Sequence, residues 1–144
     1  MKKYFLLFCL LFASAVFAQG WQDSYGETLA AAKKQDKTIL LVFSGSDWCA
    51  PCIKLDKKVW RSDAFSAYAR KNYVLYKADF PRKKKNRLPD AVVSRNRALA
   101  ERYNPKGHFP LVLLLNTGGA VLGETGYLKG TPELYIEHLN SLIK

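Results

Sequence analysis

Apolar and polar positions fall into blocks whose period changes along the chain, and each change marks an element. Asp23 or Ser24 offers a helix cap, and the helix it starts runs to about Gln35 with Leu29 and Ala30 to Ala32 as its apolar side. The run Thr38-Ile39-Leu40-Leu41-Val42-Phe43 then reads as a buried strand ending at Ser44. Beyond it, apolar positions 52/53, 55, 59 and 60 suit one face of a helix reaching Trp60. Ser62 caps a continuation from Asp63 to Lys71, in which Phe65, Tyr68 and Ala69 recur at helical spacing. Tyr73 to Ala78 reads as the next strand, followed by a basic loop that ends at Pro89 and a helix from Asp90 to Tyr103. Pro110 opens a strand over 111–115, and Asn116-Thr117-Gly118-Gly119 turns it into a further strand, Ala120 to Gly123. Thr131-Pro132-Glu133, a cap with proline at the first helical position, starts a last helix to about Ile143. The order is that of an α/β fold, a layered sheet flanked by helices, with no internal repeat and no linker.

The first eighteen residues stand apart. Lys2 and Lys3 precede an apolar stretch from Tyr4 to Phe12, and Val16-Phe17-Ala18 places small residues where a leader is cut before Gln19. The stretch is short of the roughly 20 residues that a membrane span requires. Residues 1–18 are therefore expected to be a cleaved signal peptide, with an uncleaved anchor as the alternative, and 19–144 a single domain in the periplasm or outside the cell. Cys9 would leave with the leader, so only Cys49 and Cys52 remain. The full chain carries a formal +11 from 23 Lys+Arg against 12 Asp+Glu, of which Lys2 and Lys3 supply two charges. That balance favours anionic partners without specifying a reaction.

The chemistry sits at Trp48-Cys49-Ala50-Pro51-Cys52, between the strand and the helix. On a first helical turn, residues i and i+3 share a face, so the two thiols can close a short disulfide. The first cysteine meets the unpaired N–H groups and positive dipole end of the helix, which favour a thiolate; the second lies deeper and stays a thiol until needed. Pro51 suits the first turn, where a missing N–H costs nothing. A purely structural disulfide is the bland alternative, but so small a loop restrains little unfolded-state entropy.

These residues carry a resemblance. The segment Trp48 to Cys52 resembles the thioredoxin site, with Ala50 in place of a glycine, and the flanking Leu41 to Asp47 and Trp60 to Phe65 look more like secreted bacterial thioredoxin-like proteins. They are also similar to the C-terminal periplasmic domain of the membrane disulfide reductase. Gly107-His108-Phe109-Pro110-Leu111 resembles the family's cis-proline loop, and the likeness covers about residues 21–144. The resemblance implies a thioredoxin-like fold, a mixed central β-sheet flanked by helices, with Cys49 and Cys52 as the catalytic pair and Ala50 and Pro51 in the active-site loop. It further implies that Trp48 shapes the rim and that Phe109 and Pro110 bind substrate by backbone pairing.

One departure concerns proton transfer. Thioredoxins usually carry a buried aspartate six residues before the first cysteine; here that position is Phe43. The acceptor for the Cys52 proton is then water or another group, with Lys77 a weak candidate that more often snorkels to a sheet edge.

The expectation is a disulfide oxidoreductase that reduces protein disulfides, needs no metal or organic cofactor, works as a monomer and draws electrons from a membrane-bound thiol donor. Oxidase or isomerase action stays open, because only the missing histidine between the cysteines argues for reduction. A Cu(I) thiol chaperone with His108 as third ligand and a non-catalytic peptide-binding module are the rivals from other classes. Arg82, Lys83, Lys84, Lys85 and Arg87 form a basic loop, ordinarily just solvated, that could recruit an acidic partner or touch anionic lipid. Without interleaved aromatics it does not read as a nucleic-acid site. Asp47 reads as a solvated surface residue; His108 and His138 are single histidines, and His108, near the active-site loop, reads as packing or solvent-facing rather than as a ligand.

Overall fold

A computed structural model describes residues 20–143; the leader reading falls on residues outside these. Helix α1 (Tyr25–Gln35) is capped by Ser24, whose hydroxyl accepts the Glu27 N–H. It leads into β1 (Thr38–Ser44), which carries six consecutive buried residues, the mark of a strand covered on both faces. Helix α2 (Ala50–Leu55) follows and runs on as one wide π turn over Asp56–Trp60, closed by Arg61 N–H donating to the Asp56 carbonyl. The wide turn has a packing result: Leu55, Val59 and Trp60 are all buried on one side. Ile53, assigned to that apolar face from its spacing, is instead 44% exposed.

Helix α3 (Asp63–Asn72), capped by Ser62, delivers the chain to β2 (Tyr73–Asp79). Helix α4 (Asp90–Tyr103) returns it to β3 (Leu111–Leu115), then β4 (Val121–Thr125) and α5 (Pro132–Leu142). Strand β4 thus starts and ends later than its sequence pattern indicates; a register shift at Leu114/Leu115 accompanies the offset. The sheet order is β2-β1-β3-β4, with β1 parallel to β2 and antiparallel to β3, and β3 antiparallel to β4: a mixed sheet.

Two apolar layers sandwich it. Leu40, Val42, Val112 and Leu114 face α2, the π turn, α3 and α5, where Leu55, Trp60, Phe65 and Leu139 lie. Ile39, Leu41, Phe43, Leu113 and Leu115 face α1 and α4 through Ala32 and Leu99. Burial of this kind contributes about 25 cal/mol for each Å² of apolar surface. The central strand therefore anchors the loop that follows it, and that loop carries Cys49.

Candidate active site

Strand β1 stops at Ser44, and the chain turns so that Gly45 O accepts both Trp48 N–H at 3.3 Å and Cys49 N–H at 2.9 Å. Cys49 then occupies the N-cap of α2 with extended backbone, and its Sγ accepts the Cys52 N–H at 3.3 Å. Ala50 and Pro51 form the exposed first turn, and Pro51 sits where no intrahelical donor is needed. Cys49 and Cys52 are joined in a disulfide with their Cα atoms 5.2 Å apart. They are 5% and 2% exposed, so the pair lies in a nearly closed mouth rather than on an open surface. A thiolate released at Cys49 would sit among the free N–H groups of α2, the arrangement that favours the charged sulfur.

The three residues before Cys49 are each tied to the chain that leaves β2. Ser46 donates from N–H and Oγ to the two carboxylate oxygens of Asp79, at 2.9 and 2.5 Å. Asp47 accepts the backbone N–H of Arg82 at 2.9 Å and of Lys83 at 3.0 Å, and the Asn86 amide at 2.9 Å. Trp48 donates from Nε1 to Phe80 O at 2.7 Å. Asp47, expected to be merely solvated, is thus the staple of the basic loop. The Arg82 N–H, and after it the Asn86 amide, hold its carboxyl below the usual aspartate range. No local pattern announces such a role, because its partners lie 35 to 39 residues away.

The structure brings Trp48 and Phe109 together, edge to face at 5.4 Å between ring centroids. Phe80 extends this cluster, 5.6 Å from Phe109 and 6.5 Å from Phe43. The outer face of Trp48 is covered by the Arg82 guanidinium, 3.7 Å from the ring centroid. The Phe109–Pro110 peptide is cis and Pro110 is buried. Because Leu111 pairs with Phe43, Pro110 lies one step beyond the β1–β3 ladder, at the end from which the loop to Cys49 departs. Buried Asn104 shapes this approach: its amide donates to His108 O and its carbonyl accepts the His108 N–H. The Asn-Pro-Lys-Gly sequence after α4 was the available signal, with Gly107 at φ 69°.

The six-residue spacing that singled out Phe43 is off by one side chain. Phe43 packs toward α1 and α4, whereas its neighbour Val42 faces the α2 layer. The position beneath α2 is apolar either way. Lys77, paired with Val42 in register on the edge strand, points into that same layer. Its ammonium donates to Asp56 at 2.9 Å and lies 4.7 Å from the Trp21 ring centroid, commitments that suit a structural cation better than a proton-accepting base. Asp56 also holds Arg61 at 2.7 Å. Among the described residues no three His, Cys, Asp or Glu side chains gather where a metal ion could be held, and His108 does not join the two sulfurs. His138 meets Thr125 Oγ1 at 2.8 Å. No helix of the described residues is long and apolar enough to cross a membrane.

Comparison with known proteins agrees with this geometry. Residues 20–117 match the family described as thioredoxin-like. The chain is 32% identical over 122 residues to the disulfide bond reductase DsbH of Chlamydia pneumoniae, with 85% of this chain aligned to 72% of that protein. A solved structure of a DsbH oxidoreductase superposes with a TM-score of 0.79 at 31% identity, over 85% of this chain and 83% of that one. A disulphide isomerase from Xylella fastidiosa Temecula1 gives a TM-score of 0.54 at 28% identity, over 72% of this chain and 74% of its own. With a mixed β2-β1-β3-β4 sheet, a disulfide-linked cysteine pair at the start of α2 and these matches, the chain belongs to the thioredoxin-like family.

Proposed function

We propose that this thiol–disulfide oxidoreductase works in the reducing direction on exported proteins, after removal of residues 1–18. The observation that carries the reading is the Cys49–Cys52 disulfide at the N-cap of α2 in a chain 32% identical to a disulfide bond reductase. In the reduced protein, the Cys49 thiolate attacks one sulfur of a substrate disulfide. A Cys49–substrate bond forms, the substrate S–S bond breaks, and the departing thiolate takes a proton from solvent. Cys52, deprotonated to water, then attacks Cys49 Sγ; the 49–52 disulfide forms, the Cys49–substrate bond breaks, and the second substrate sulfur leaves as a thiolate that takes a proton from solvent. Two electrons and two protons have passed to the substrate. A membrane-bound thiol donor restores the dithiol by the same steps, so no metal or organic cofactor enters.

Trp48 and Phe109 wall the mouth, and the backbone at Phe109–Pro110 offers an edge for an extended substrate. Ala50-Pro51 supplies no cation to stabilise the reduced form, which supports a low potential. The protein acts as a monomer without nucleic acid. Equilibration of the purified protein with defined thiol buffers, followed by Trp48 fluorescence, tests direction. A potential near about −270 mV is expected, and one near about −120 to −180 mV would replace reduction with oxidation or shuffling. Cys52→Ser is expected to accumulate mixed disulfides with substrates; their absence there, with substrate still bound by Cys49→Ser, would leave a peptide-binding module instead.

A further inference from the structure

The basic loop is built into the mouth of the site. Its backbone is pinned by Asp47, two residues before Cys49, and its first cation lies over the ring of Trp48, the residue next to Cys49. The short 3₁₀ turn Lys84–Asn86 holds the remaining lysines in order, closed by Asn86 N–H on Lys83 O and tied down by the Asn86 amide on Asp47. Three carboxylates are close, Asp47 held by the loop backbone, Asp79 by Ser46 and Asp90 by Arg87 at 3.1 Å, and they offset part of the charge, but Arg82, Lys83, Lys84, Lys85 and Arg87 outnumber them. Among the described residues, Lys83, Lys84 and Lys85 make no ion pair within 4 Å and are exposed. A fixed cluster of unpaired cations beside a reactive sulfur raises the local concentration of anionic groups there.

We propose that this loop is a specificity element that selects disulfides flanked by Asp and Glu in a polypeptide substrate. The inference rests on the oxidoreductase reading and names its substrate class. A polypeptide fits better than an anionic membrane, because a lipid surface seated on these lysines would cover the mouth that substrate must enter. Held placement matters as well as charge: the loop stapled through Asp47 keeps the backbone that carries these lysines beside the Cys49 rim.

The test uses two disulfide peptides, identical except that one carries Asp and Glu on both sides of its cysteines and the other Asn and Gln. Their reduction by the dithiol protein is compared as a ratio of kcat/KM, so any general loss of activity in a variant cancels. At about 0.01 M salt, where the screening length is about 30 Å, the acidic peptide is expected to be reduced about tenfold faster. The ratio should fall toward one at about 1 M salt, where that length is about 3 Å. Replacing Lys83, Lys84 and Lys85 together by Gln should bring it near one at low salt. Asp47→Asn removes a negative charge yet loosens the loop, because an amide keeps only one acceptor oxygen for the three bonds that Asp47 takes: a ratio below that of the wild type supports the held loop, and a higher ratio overturns it in favour of net charge alone. Equal rates on both peptides would overturn the proposal, as would lysine-dependent sedimentation with anionic phosphatidylglycerol vesicles without any peptide preference. Reduction of neither peptide would instead count against the oxidoreductase reading itself.

Discussion

Gly45 is a glycine for want of space. Its backbone has no left-handed φ, but a Cβ built there would clash with Cε2, Cζ2 and Nε1 of the Trp48 indole. Gly45→Ala therefore forces the ring to move, and the ring is held on three sides. Leaving its place breaks the 2.7 Å hydrogen bond to Phe80 O, worth about 1 kcal/mol. It also gives up the edge-to-face contact with Phe109, about 0.5–1.5 kcal/mol, and the Arg82 contact, about 0.5–1 kcal/mol at an exposed site. Staying in place instead incurs overpacking strain of about 1–3 kcal/mol. The two routes overlap at a loss of about 2–3 kcal/mol, which for a chain of this size lowers the melting temperature by about 8–12 °C. Urea unfolding followed by far-ultraviolet circular dichroism measures the loss, and Trp48 fluorescence reports the displaced ring. The control is a double-mutant cycle. In a Trp48→Ala background the obstacle is gone, and adding Gly45→Ala should then cost less than about 0.5 kcal/mol. An equal cost in both backgrounds would refute the steric reasoning and place the effect in the turn's backbone.

Two further outcomes follow from buried polar groups. Asn96, buried in α4, accepts the Tyr76 hydroxyl at 2.6 Å and donates to Asp79 O at 3.1 Å. Asn96→Ala should cost about 2–3 kcal/mol in denaturant unfolding, and part of that should return when Tyr76→Phe removes the stranded hydroxyl. The Tyr135 phenol is buried, donates to Gly126 O at 2.7 Å, and has its pKa pushed up by desolvation. In the unfolded chain it ionises near pH 10, whereas the fold keeps it protonated to higher pH. Its contribution is complete below about pH 10 and is lost above it, at up to about 1.4 kcal/mol for each pH unit. Stability measured from pH 9 to 12 should show this decline, and Tyr135→Phe should reduce its slope.

What the sequence determined by itself is local or periodic. The strand 38–44, the Ser24, Ser62 and Thr131 caps, and the i, i+3 cysteine pair all rest on neighbours within one turn or one strand, and the structure places these elements there. The tertiary structure decided what depends on distant partners. The spacing at 52–60 looks like a plain α-helix, yet burial of both Val59 and Trp60 is met by a π turn, and Ile53 faces solvent. Counting six residues back from Cys49 selects Phe43, but strand alternation turns that side chain toward α4 and leaves Val42 on the other face. A one-residue change of register reverses the face, so a count along the chain cannot replace the pleat. Asp47 and the run Arg82 to Arg87 each look like solvated charge when read alone. They join at the site only because β1 and β2 are parallel neighbours, so their carboxyl ends emerge side by side.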